Sequence, residues 1–71
     1  MKNNKGNLVY VPSDVVLCQY DMKDHYVSDY IKMEEPVHLL ITESVDELYE
    51  VLYKEQRWFV KKAEVFEVYN E

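Results

Sequence analysis

Glu43-Ser44-Val45-Asp46-Glu47-Leu48-Tyr49-Glu50-Val51-Leu52-Tyr53-Lys54-Glu55-Gln56-Arg57-Trp58-Phe59-Val60-Lys61 is the stretch on which the fold class turns. Two periodicities compete in it. Ser44-Val45-Asp46-Glu47 has capping-box spacing, and Val45, Leu48, Tyr49 and Leu52 fall on one helical face. Read with period two, a strand from Leu48 to Tyr53 puts Tyr49, Val51 and Tyr53 on one face. Leu48 and Leu52 then lie on the other face, flanking Glu50. Lys54-Glu55-Gln56 becomes a turn into Arg57-Trp58-Phe59-Val60-Lys61. Two aromatic-rich runs across so short a turn favour a hairpin, and the strand is preferred. A helix over 44–55, giving an α+β chain, is the alternative.

Working outward, the flanks are β-rich. Pro36 introduces Val37-His38-Leu39-Leu40-Ile41-Thr42, a compact apolar strand. Leu8-Val9-Tyr10-Val11 is β-branched and aromatic, and Pro12-Ser13-Asp14 turns it. Val15-Val16-Leu17-Cys18-Gln19-Tyr20 is a further strand, and Val65-Phe66-Glu67-Val68-Tyr69 alternates to the end. Residues 21–32, with Tyr26 and Tyr30, show no clear period and read as a long loop or a loose, irregular hairpin. Residues 1–6 are polar, hold the sole glycine, and read as a flexible tail before one domain at 7–71. The expectation is an all-β fold of five to six short antiparallel strands curled into a small barrel.

Laid out this way, residues 15–69 resemble an SH3 domain. Leu17-Cys18-Gln19-Tyr20-Asp21 is similar to that family's Ala-Leu-Tyr-Asp-Tyr opening strand, and 21–31 takes the place of its long RT loop. Lys32-Met33-Glu34-Glu35-Pro36 and the strand after it resemble the Lys-Lys-Gly-Glu turn and its continuation. Lys62-Ala63-Glu64-Val65 replaces the short 3₁₀ turn before the last strand. Small proteins of tailed bacteriophages also look like this, with an early proline-serine-aspartate turn and a late tryptophan-aromatic-valine. The resemblance implies an SH3-like barrel. It does not bring the proline-rich ligand groove with it: Leu48-Tyr49 stand where that groove's tryptophan belongs, and Lys62-Ala63-Glu64 lack its proline and tyrosine.

Composition narrows the function. The 71 residues are 48% hydrophobic and 14% aromatic, enough for a folded domain with a small core. Cys18 is the lone cysteine, the opening residues carry no apolar signal-like run, and no apolar stretch approaches the roughly 20 residues that span a bilayer. The expected setting is a reducing cytoplasm, that of an infected host if the chain is phage-encoded, with no membrane. A net charge of −6 repels phosphate backbones, and Lys61-Lys62 is the sole adjacent basic pair, so direct nucleic-acid binding is not expected.

Chemistry-bearing residues are sparse. His25, His38 and Cys18 lie on separate segments without metal-ligand spacing, so no metal or cofactor is expected. Carboxylate pairs such as Glu34-Glu35 and Asp46-Glu47 read as solvated turn residues, and no glycine-rich phosphate loop exists. No catalytic residue is assigned and the chain is not read as an enzyme. What remains is surface: an acidic ridge of Glu43, Asp46, Glu47, Glu50 and Glu55, beside Tyr26, Tyr30, Tyr53 and Trp58, residue types that favour protein contacts. The leading expectation is a protein-interaction module with a basic-surfaced partner, an accessory factor that binds or inhibits a host protein. A structural homo-oligomer using an edge strand at 8–11 or 65–69, or an assembly component, is the second reading. An acidic mimic of nucleic acid is the third.

Overall fold

Strand-forming residues dominate the chain, and every main element is a strand. The computed structural model describes residues 6–21 and 26–68. In chain order these form β1 (Leu8–Val11), β2 (Val16–Asp21), β3 (Tyr26–Lys32), β4 (Val37–Val45), β5 (Leu48–Tyr53), β6 (Gln56–Lys61), a 3₁₀ turn (Lys62–Glu64) and β7 (Phe66–Val68). All pairings are antiparallel, in one sheet of order β3-β2-β6-β5-β4-β1-β7.

No helix or second sheet lies over this sheet among the described residues, so its core must come from curvature. Val9 and Val11 of β1, Leu17 of β2, Ile41 of β4, Val51 of β5 and Val60 of β6 are the largest fully buried side chains, and all belong to one cluster. β1 and β2 stand four positions apart in the sheet order, about 19 Å on a flat sheet at ~4.8 Å per strand. Sharing a core requires the sheet to curl, bringing its ends toward each other. Register shifts at Gln19/Tyr20 and at Ile41/Glu43 are bulges of the kind that sharpen bend and twist. The sheet does not close, since β3 and β7 remain its two edges.

The competition over 44–55 resolves as strand. Val45 pairs with Leu48 across Asp46-Glu47, and Val51 lies between Ile41 and Trp58 on its two neighbours. The Ser44–Glu47 spacing that mimics a capping box is the end of β4 and its turn, where Asp46 takes φ 52°. β-branched and aromatic side chains prefer the pleated surface once partners exist on both sides.

Three expectations need correction. There are seven strands, and the added one is β3, inside the segment read as a loop or loose hairpin. β3 is a regular edge strand with a bulge, but almost every residue in it is exposed, so no burial period marks it in the sequence. β1 is not an edge: it lies between β4 and β7, which removes residues 8–11 as a self-pairing edge. Gly6 is also tied down, its N–H donating to the Ile41 carbonyl at 2.9 Å with φ at 88°. The expected final strand agrees at Phe66–Val68, while Tyr69 lies outside the described residues, as do residues 1–5.

The β5–β6 turn carries local strain. Tyr53 pairs with Gln56 around Lys54-Glu55, and both turn residues have positive φ, 50° and 65°. Two-residue hairpins of this kind favour Asn-Gly, because other side chains meet their own backbone there. Replacing Lys54→Asn together with Glu55→Gly is expected to stabilise the domain by about 1 kcal/mol, raising Tm by roughly 4–8 °C. Thermal unfolding followed by circular dichroism checks this.

Candidate functional site

A single-layer sheet that buries one face leaves the other uncovered, and here that outer face is not uniformly polar. Register places Leu52 beside Leu40, Leu40 beside Leu8, and Leu8 beside Val68. These four form a row across β5, β4, β1 and β7, each 39–44% exposed. The next row runs His38–Tyr10–Phe66. The Tyr10 ring lies 5.3 Å from His38 and 6.3 Å from Phe66, centroid to centroid, and Phe66 is 63% exposed. Together they form a contiguous apolar surface across four strands of the outer face.

β7 explains how the patch arises. Alternation lets either Phe66 and Val68 or Glu67 face inward, and it is Glu67 that does. Its carboxylate accepts the Asn7 Nδ2–H at 2.7 Å and the Tyr49 hydroxyl at 3.1 Å. The Lys62 ammonium lies 5.1 Å from the Tyr49 ring centroid, adding a cation near the same group. With those partners the inward acid is satisfied, and two apolar residues are turned to solvent.

Acids border the patch. Glu43 pairs with Glu50 on the outer face next to the leucine row. Like charges directly opposite are unfavourable, and the Thr42 hydroxyl steadies Glu50, lying 2.9 Å from its Oε1 and 3.1 Å from its carbonyl. Arg57 ends the leucine row opposite Leu52. Lys54 is turned back over the Tyr53 ring, 5.5 Å from its centroid.

The fold disperses most of the residues singled out in the sequence. Asp46 and Glu47 sit in the β4–β5 turn and Glu55 in the turn at the far end of β5, so the expected ridge is split, leaving Glu43 and Glu50 as its paired members. Tyr26 and Tyr30 are exposed, but on β3, at the opposite edge of the sheet from β7. Tyr53 packs half-buried against the core. Trp58 is 6% exposed and belongs to the core, so it offers no contact surface; its Nε1–H has no acceptor among the described residues. Cys18 is half-buried between Tyr30 and Phe59 in register, and Phe59 meets Tyr20 edge-on at 5.4 Å. His25 lies outside the described residues. Among the described residues no group of three His, Cys, Asp or Glu side chains could hold a metal, and no helix is long and apolar enough to cross a membrane.

The patch residues Leu8, Tyr10, Leu40, Leu52, Phe66 and Val68 are not among the surface residues singled out in the sequence. A signal for them exists in the sequence. Leu8-Val9-Tyr10-Val11, Leu39-Leu40-Ile41 and Val51-Leu52-Tyr53 are apolar at both parities, and a sheet with one covered face can bury only one parity.

The fold and its outer face define an all-β domain of one curled antiparallel sheet with an apolar, acid-bordered surface. No family model, curated protein or solved structure matches the chain.

Neighbouring residues on opposite faces give a direct check. Ile41→Ala should cost about 2–5 kcal/mol, a large share of the total stability of so small a domain. Leu40→Ser should change stability by no more than about 1 kcal/mol. Urea denaturation of both variants measures this, and equal losses would mean that the outer face is covered in solution.

Proposed function

We propose that the domain is a non-enzymatic protein-interaction module that binds its partner through the outer face of β5, β4, β1 and β7. One observation carries this: the exposed Leu52–Leu40–Leu8–Val68 row is continuous with exposed Phe66 and half-buried Tyr10, and the inward-turned Glu67 leaves Phe66 and Val68 facing out. Aromatic and leucine side chains supply binding by leaving water, and the surrounding charges select the partner. With Glu43 and Glu50 beside the leucines and a net charge of −6, the fitting partner has an apolar surface flanked by Lys or Arg. A second copy of the same acidic chain fits less well, because it would bring the same acids to the contact.

An SH3-like barrel is the finer architecture we favour. The 3₁₀ turn Lys62–Glu64 before the last strand and the consecutive β4–β5–β6 hairpins support it. The binding face proposed is different from a proline-rich ligand groove. The resemblance to small bacteriophage proteins supports a role as an accessory factor of infection, acting on a host protein in the host cytoplasm.

Affinity capture with four baits tests the reading: native, Leu40→Ser/Phe66→Ser, Glu43→Lys/Glu50→Lys, and Tyr26→Ser/Tyr30→Ser. The expected result is a protein kept by the native and Tyr26/Tyr30 baits and lost with the other two. Its direct affinity for the purified domain should fall as salt rises. Binding insensitive to the outer-face substitutions would overturn the proposal.

A further inference from the structure

Of the sheet's two edges, β3 is the longer, seven residues against three for β7. It is rich in strand formers, holds no proline or glycine, and exposes Tyr26, Val27 and Tyr30, the last by 70%. A strand of this kind is a template onto which another strand can add. Its outward-facing groups follow from the ladder. The Met33 N–H donates to the Val15 carbonyl at 2.9 Å, which marks that pair as bonded. Antiparallel alternation then makes Leu17↔Ile31 and Gln19↔Asp29 the bonded pairs, so the backbone N–H and C=O of Tyr30 point away from β2. The Tyr30 N–H is already occupied: it donates to Oδ1 of the preceding residue, Asp29, at 2.8 Å.

We propose that Asp29 is a guard of the β3 edge, its carboxylate occupying the Tyr30 N–H that an added strand, in the first instance β3 of a second copy, would need. Two features act with it. The register shift opposite Gln19/Tyr20 leaves Ser28 as the extra residue, whose hydroxyl donates to the Gln19 carbonyl at 3.2 Å, so the edge is bulged beside the guard. The carboxylate also sets a negative charge where an incoming strand would bring its carbonyl oxygens, adding repulsion to competition. Association is thereby steered away from β3. This inference stands independently of the outer-face reading.

Sedimentation velocity over a wide concentration range, with far-UV circular dichroism to confirm the fold, tests it. Asp29→Ala is expected to strengthen self-association at least about tenfold over the native chain, since a two-fold pair gains two strand-to-strand hydrogen bonds. Asp29→Asn keeps an oxygen acceptor for the Tyr30 N–H and should stay well below the alanine variant. Adding Tyr30→Pro to Asp29→Ala removes the N–H itself, at an edge position where proline is tolerated, and should restore native behaviour. The proposal is overturned if Asp29→Ala sediments as the native chain does, or if its association survives Tyr30→Pro. Unfolding of Asp29→Ala would also overturn it, since the exposed carboxylate would then be a structural support.

Discussion

A sheet without a lid governs this molecule. Seven strands and one 3₁₀ turn leave nothing among the described residues to cover the sheet, so burial must come from bending it around its own side chains. Small inward valines and isoleucine suit the inside of a tight curve: Val9, Val11, Ile41, Val51 and Val60 are fully buried, with Trp58 and Tyr49 as the large fillers. Bulges on β3 and β4 give the extra bend. The cost of this solution is that the second face has no partner within the domain.

That cost is clearest on β7. On β7 the polar and apolar positions are inverted relative to ordinary practice, with Glu67 inside and Phe66 and Val68 outside. The Tyr49 hydroxyl and the Asn7 amide make the inversion tolerable, because a partly buried carboxylate is expensive only while its oxygens lack donors. One small polar group of three residues, from β5, the β1 approach and β7, therefore accompanies the outward turn of Phe66 and Val68. The two edges are handled differently as well. β3 is bulged and has the outward amide of Tyr30 occupied, whereas the apolar surface collects at the β7 side.

Much of the architecture is legible in the chain. Pro36 and the apolar run after it mark β4; the aromatic runs on either side of Lys54-Glu55 mark the β5–β6 hairpin; Pro12-Ser13-Asp14 closes β1. β3 is not legible, because an edge strand exposed on nearly all sides has no hydrophobic alternation to betray it. The candidate face was illegible for a related reason. Leu40 and Ile41 are equivalent in a sequence, and so are Tyr10 and Val11, until the sheet's concave side is known.

By itself, then, the sequence determined the class: β-branched and aromatic residues at short spacing, broken by turn residues, favour strands, and with Cys18 alone no internal disulfide can form. It also determined the net charge of −6. Only the tertiary structure decided which parity of each strand is buried, how the acids are divided between turns and outer face, and that Trp58 lies inside while Phe66 lies outside. Those outcomes depend on partners distant in sequence, such as Asn7 with Glu67 or Leu8 with both Leu40 and Val68, and strand periodicity carries no information about which side such partners will take.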